Sequence, residues 1–273
     1  MPNDDAMTLS AVQEARLRLD DLSLGYGRHS ADALSGLSLA LAPGETVAIV
    51  GPTGSGKSAL LRFLAGREPR PTVTGGDARI GQDWLRRQSR RGRARIADRV
   101  GYLGQSDRSF IPAGTSVAEM LAEPLRRAHP DAPLSEIGVR AAQALDAARL
   151  PLSALESFAT ELSGGQQQRL LLVRTTLAAP DVILWDEPAA GLDPGVRRVV
   201  PELLAAARSA QETSALVVCH DVRFLRDHAD RVLVLDHGRV AGIGTFAQLR
   251  DGAPIPFLEE LCSVHAGGTP GVR

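Results

Sequence analysis

Gly51-Pro52-Thr53-Gly54-Ser55-Gly56-Lys57-Ser58, placed directly behind the apolar, β-branched run Thr46 to Val50, decides the fold class. The octet satisfies G-x-x-x-x-G-K-[ST] at every fixed position. Glycines let the backbone curl until several N–H groups face one point, an arrangement that suits phosphate oxygens. Ser58 to Ala65 continues as a helix, and its positive dipole end faces the same point. In such a loop Lys57 is a point charge for β- and γ-phosphates and Ser58 a hydroxyl for Mg²⁺. An apolar run that enters a tight loop and then a helix reads as a central parallel strand.

Upstream of the octet, Leu17, Leu19, Leu22 and Leu24 alternate with polar residues, and a slip at Asp20 and Asp21 reads as a division into a strand pair. Leu37, Leu39 and Leu41 form another half-exposed strand, closed by Pro43-Gly44. Downstream, Gly66 to Gly76 reads as a glycine- and proline-rich break, followed by Arg86, Arg87, Arg90, Arg91, Arg93 and Arg95. Arg99 to Leu103 reads as a strand, and Ser116 to Leu150 as helical with breaks at its prolines. Ser116 and Glu119 have capping-box spacing. Strands return at Val182 to Trp185 and Ala215 to Cys219, then as a hairpin around His237-Gly238. From Asp251 onward the composition reads as a loose tail. This order predicts an α/β protein with an inserted helical block.

Composition agrees. A chain of 273 residues, 44% hydrophobic and 23% charged, suits one core domain with an inserted subdomain. A net charge of −1 provides no general attraction to nucleic acid or anionic lipid. No stretch reaches the roughly 18 consecutive apolar residues of a membrane span. Met1 to Val12 lacks the basic and apolar regions of a secretory signal. Cys219 and Cys262 make neither a disulfide framework nor a metal knuckle. His29, His129, His228, His237 and His265 form no ligand cluster in the sequence. The arginine cluster lacks the interleaved aromatics that stack bases, so it reads as a solvated or headgroup-facing surface and nucleic acid is not expected as a partner.

Two further segments carry chemistry. Val182-Ile183-Leu184-Trp185-Asp186-Glu187 is an apolar strand ending in two carboxylates at the sheet edge where ligands bind. Asp186 is there a candidate for Mg²⁺, and Glu187 for orienting and deprotonating a water. Leu162-Ser163-Gly164-Gly165-Gln166-Gln167-Gln168-Arg169 opens a second helix with Ser163 as N-cap and Gln166 at the capping-box position. Its two glycines leave the helix end bare, a second anion site in one chain.

Leu162 to Gln166 matches the signature sequence of ABC transporter nucleotide-binding subunits, and the chain resembles that family from about Leu17 to Leu249. The resemblance implies a RecA-like phosphate-loop NTPase core, an antiparallel β subdomain and an inserted α-helical subdomain. It assigns residues 14–249 to the ATPase domain, about 106–178 to the helical insertion and 250–273 to a short tail. It implies a head-to-tail pair in which Ser163, Gly164, Gly165 and Gln166 of one subunit close over ATP held by residues 51–58 of the other. Tyr26 matches the adenine-stacking aromatic, Gln105 the glutamine that touches Mg²⁺ and water, Asp193 the loop across the interface, and His220 the histidine that contacts the γ-phosphate. Trp185 and Ala189-Ala190-Gly191 depart from the family's usual residues without removing a catalytic group. An active ATPase with ATP and Mg²⁺, a second motor subunit and a separate permease, peripheral on the cytoplasmic membrane face, is the implied system. Ile111-Pro112 and Ala122-Glu123-Pro124-Leu125 resemble the peptide- and nickel-importer branch, with an exporter motor, a lipid-handling system or a soluble complex as alternatives.

Overall fold

The computed structural model describes residues 14–27, 32–105, 107 and 111–266, so the readings of Met1 to Val12 and His29 lie outside the described residues. Two sheets enclose two apolar cores. The first sheet is antiparallel, in the order β2-β1-β4-β5, from β1 (Leu17–Gly25), β2 (Leu34–Leu41), β4 (Thr72–Ile80) and β5 (Asp83–Trp84). The second has the order β10-β9-β3-β8-β7-β6, from β3 (Thr46–Val50), β6 (Val100–Leu103), β7 (Val182–Asp186), β8 (Ser214–Val218), β9 (Arg231–Asp236) and β10 (Arg239–Gly244). It is parallel except for the β9–β10 hairpin.

Strands β3, β7 and β8 are buried along their whole length, as sheets covered on both faces require. Alternate residues feed opposite cores. Val47, Ile49, Val182, Leu184, Leu216 and Val218 pack with the leucines of β1 and β2 and with Leu60, Leu61 and Leu64 of α1 (Lys57–Ala65). Ala48, Val50, Ile183, Trp185, Ala215 and Val217 face the helices of the other layer. These are α3 (Val117–Ala128), α4 (Leu134–Ala147), α5 (Gly164–Thr176), α6 (Val199–Gln211), α7 (Val222–Asp227) and α8 (Phe246–Asp251), together with the last helix described below. The arginine cluster lies around α2 (Arg90–Ala97), capped by Ser89.

Four local readings change. The slip at Asp20 and Asp21 does not divide a strand pair: β1 is continuous and bulges there, with Asp21 at φ 48°. The apparent break at Gly75-Gly76 lies inside β4, opposite that bulge. Gly76 has φ 64°, and a Cβ there would stand 2.2 Å from the Asp20 carbonyl oxygen, so glycine is what lets the strands approach. Pro124 does not interrupt α3. A proline leaves the carbonyl four residues earlier without its helical donor. Here that carbonyl belongs to Met120, and the Arg174 Nε–H donates to it at 3.1 Å while Arg174 Nη2 holds Glu123 at 2.8 Å. Finally, the segment read as a loose tail contains α9 (Pro256–Ala266), whose Leu258 and Leu261 are buried. Ile255, Leu258 and Leu261 recur at helical spacing on one face, and this outweighs the flanking Gly and Pro residues.

Candidate functional site: a phosphate loop and an acidic strand end

Residues 51–58 turn from β3 into α1 through Gly51 (φ 151°), Gly54 (φ 83°) and Gly56 (φ 99°). The close approaches are real: a Cβ on Gly51 would lie 2.1 Å from the Leu235 carbonyl oxygen, and one on Gly56 would lie 2.3 Å from that of Ala33. Lys57 folds back into the loop it closes. Its Nζ donates to the Gly51 and Pro52 carbonyls at 2.7 and 2.8 Å and to Ser55 Oγ at 3.3 Å. Burial lowers the Lys57 pKa, and the nearby Asp186 and Glu187 oppose the shift. Thr53 and Gly54 at the tip are exposed, leaving the mouth of the loop open.

Asp186 ends β7 at 3% exposure. Burial raises its pKa, the Ser58 hydroxyl lies within reach to lower it, and Glu187 adds repulsion. Its Oδ2 is buried without a hydrogen-bond partner. A buried carboxylate oxygen without a donor, beside a serine hydroxyl and below a phosphate cradle, is the donor set a hard cation takes. The residues therefore fit Mg²⁺. Glu187 follows at φ 54°, a left-handed conformation uncommon for a side chain of its size, with its N–H donated to the Val218 carbonyl at 3.0 Å. His220, just past β8, places Nε2 3.4 Å from Glu187 Oε1. Burial holds the imidazole below its ordinary pKa, with Glu187 and Asp186 opposing and Lys57 assisting. The structure thus gathers Lys57, Ser58, Asp186, Glu187 and His220.

It does not bring in every predicted residue. Gln105 is exposed and lines a neighbouring cleft of about 760 Å³ together with Tyr102, Ile111, Arg62, Glu123 and Arg174. Tyr26 is 45% exposed and within hydrogen-bonding reach of the Arg62 side chain. Ser163 and Gly164 are exposed at the start of α5, where the capping box is made in both directions: Ser163 N–H to Gln166 Oε1 at 2.8 Å and Gln166 N–H to Ser163 Oγ at 3.3 Å. Asp193 is exposed too. Among the described residues no hydrogen bond joins 163–166 to 51–58.

Gln168 and Arg62, to which motif reading assigned no role, and Trp185 also shape the site. Gln168 is 6% exposed and donates to the Pro188 carbonyl at 3.0 Å, tying α5 to the residue after Glu187. Arg62 links to both Tyr26 and Tyr102, and Tyr102 is pushed up to about 12 by burial and by Asp107. Trp185 is fully buried, and its Nε1–H reaches Thr175 Oγ1 at 2.9 Å, so the family departure fills a helix–sheet contact.

A glycine loop cradling its own lysine, an acidic strand end beside it and a second bare helix end facing solvent define a nucleotide hydrolase of the phosphate-loop class. The chain belongs to the ABC transporter family, whose model matches residues 34–190. It is an ATP-binding subunit of that family and an ATPase coupled to transport. It is 37% identical over 242 residues to the L-cystine transport system ATP-binding protein TcyN of Escherichia coli, covering 85% of this chain and 94% of that one. It is 32% identical over 234 residues to the methionine import ATP-binding protein MetN of Caulobacter vibrioides, covering 85% of this chain and 68% of that one. Among solved structures, the dimeric, post-hydrolysis ATP-binding cassette MJ0796 bound to ADP and Pi superposes with a TM-score of 0.75 at 25% identity. That match covers 84% of this chain and 98% of the cassette. Among the described residues no helix is long and apolar enough to cross a membrane.

Proposed function

We propose that this chain is the motor of an importer: two copies, or one copy and a paralogue, enclose ATP head to tail and drive a separate permease from the cytoplasmic face. The observation that carries this reading is the split between two phosphate-suited ends. One is built into the core around buried Lys57; the other presents Ser163 and Gly164 to solvent with its cap already made. A single triphosphate held at residues 51–58 leaves the second end without a role unless it serves a neighbour's nucleotide. Residues 14–249 form the ATPase unit in this scheme, with 106–178 as its helical insertion.

Lys57 and the backbone of residues 51–58 hold the β- and γ-phosphates. Ser58, Asp186 and Gln105 would hold Mg²⁺, which would supply charge neutralisation on the phosphate oxygens. Glu187 accepts a proton from the attacking water, and neutral His220, in contact with Glu187, steadies the γ-phosphate. Tyr26 stacks on adenine. Ser163, Gly164, Gly165, Gln166 and Asp193 act across the dimer interface. The cleft beside Gln105 joins the core to the helical insertion, and this position supports it as the permease contact.

Import is supported by the relatives, whose names include cystine transport and methionine, sulfate/thiosulfate, Fe(3+) and glutathione import. The peptide- or nickel-type reading rests on Ile111-Pro112 and Ala122-Glu123-Pro124-Leu125 alone. Mixing inactive Lys57→Ala with inactive Ser163→Arg tests the shared site. Random pairing makes half of the dimers mixed, each with one intact site of two, so ATPase activity returns to about a quarter of wild type. A mixture that stays at the level of the separate variants refutes the composite site.

A further inference from the structure

We propose that Phe257, on the C-terminal helix α9, is a positioning residue that fixes the orientation of the His220 imidazole toward Glu187 during ATP hydrolysis. The inference rests on the role assigned to His220 above and names a part of the site that lies well beyond the matched residues 34–190.

The geometry is specific. Among the described residues His220 has one polar contact, Nε2 to Glu187 Oε1 at 3.4 Å. Among the described residues its other ring nitrogen, Nδ1, makes no hydrogen bond that would lock the ring about its Cβ–Cγ bond. The Phe257 ring supplies the missing constraint: the centroids are 6.0 Å apart and the planes cross at 69°, an edge-to-face contact. An imidazole gripped on one side by a carboxylate and on another by an aromatic ring has one rotamer in which both contacts are kept.

Phe257 is carried by a well-anchored element. Leu258 and Leu261 on either side of the helix turn are 2% and 9% exposed and belong to the same core as Phe224, Leu225 and Phe246. The turn before the helix is closed by the N–H groups of Leu258 and Glu259, which donate to the Ile255 carbonyl at 2.9 and 3.1 Å. Ile255 in turn occupies the space over Gly242 of β10, where a Cβ would stand 2.7 Å from its Cδ1. The order of α9 is thereby transmitted to the side chain that follows β8.

The test uses the full chain and five variants: Phe257→Leu, Phe257→Tyr, Leu261→Ala, His220→Ala and the double variant His220→Ala with Phe257→Leu. Steady-state ATPase measurements give kcat and KM, and the His220 ring signals are followed by ¹H–¹³C NMR. Phe257→Leu lowers kcat about tenfold and leaves KM for ATP within about twofold, because misorientation of a bound catalytic group affects the transition state. It also shifts the His220 ring proton signals, which lose the ring current of the neighbouring aromatic. Phe257→Tyr restores both readouts, and in a His220→Ala background Phe257→Leu has no further effect. Wild-type kcat in Phe257→Leu, failure of Phe257→Tyr to restore it, an equal loss in the His220→Ala background, or the same kcat loss in Leu261→Ala with the His220 signals unmoved each overturns the proposal. His220→Ala with wild-type kcat overturns the role of His220 itself, whereas an inactive His220→Ala beside a fully active Phe257→Leu removes the positioning residue alone.

Discussion

Removing Arg174 should cost more stability while Pro124 is present than after Pro124 is replaced by alanine. Met120 is 7% exposed, and its carbonyl has no helical donor because residue 124 carries no N–H. The Arg174 guanidinium takes that place at 3.1 Å. A hydrogen bond from a charged donor contributes about 1.5–3 kcal/mol, and a buried carbonyl left unpaired costs a similar amount. The accompanying ion pair with Glu123 is 36% and 43% exposed and contributes at most about 1 kcal/mol after solvent screening. Arg174→Ala should therefore destabilise the wild-type chain by about 2–3 kcal/mol. In Pro124→Ala the backbone N–H of residue 124 can bond Met120, and the same deletion should cost only about 1 kcal/mol. Urea unfolding of the four proteins yields the coupling between the two positions, expected near 1–2 kcal/mol. The ion pair with Glu123 is present in both backgrounds and cancels. A coupling within about 0.5 kcal/mol of zero, the ordinary scatter of independent sites, refutes the reasoning.

Asp186→Asn should raise the thermal midpoint of the nucleotide-free protein while abolishing Mg²⁺-dependent ATPase activity. A buried acid with a raised pKa weakens the fold wherever it is ionised, and the amide removes that charge; a midpoint that falls instead refutes the burial cost, and surviving Mg²⁺-dependent turnover refutes the orphaned oxygen as a cation ligand. Gly54→Ala and Gly56→Ala should differ sharply, since both positions have positive φ but only the second meets backbone. The first costs about 1 kcal/mol of strain and the second abolishes ATP binding or folding, as calorimetric titration and unfolding would show. Because burial keeps the His220 pKa below its ordinary value, the unfolded chain binds the proton first as pH falls. Stability should decline as pH drops below about 6.5, and less so in His220→Gln, as measured by unfolding midpoints across pH.

Much of the site was legible because each of its parts is local. Residues 51–58 announce a loop by their glycines, and the capping boxes at Ser116 and Ser163 are written in residues three apart and appear as such. What escaped were features shared between distant segments. The bulge in β1 and the glycines of β4 look like two separate interruptions until the strands are paired. Pro124 reads as a break because its compensating donor, Arg174, lies 50 residues downstream. The acidic strand end was visible, but nothing in the local sequence shows that His220 meets Glu187; the family resemblance assigned His220 to the γ-phosphate and left its contact with Glu187 to the structure. The contacts of Gln168 with Pro188 and of Phe257 with His220 are ones that no spacing rule encodes.

Sheet order is what turns these scattered segments into one site. Strand β8 lies between β3 and β7, and its last residue, Val218, pairs with Ile49 on one side and Asp186 on the other. The chain segments leaving the three strands therefore emerge side by side: the phosphate loop after Val50, Glu187 after Asp186, and His220 two residues past Val218. Two cross-strand bonds hold this alignment, Cys219 N–H to the Ile49 carbonyl at 3.2 Å and Glu187 N–H to the Val218 carbonyl at 3.0 Å. A one-residue slip of β7 would turn Asp186 to the opposite face and exchange the two buried cores, moving Trp185 and Ile183 off the helical layer. Apolar packing on both faces thus specifies the register, and the register specifies the catalytic geometry. The positive φ of Glu187 is the local cost of that arrangement, retained where the carboxylate must leave the strand toward His220.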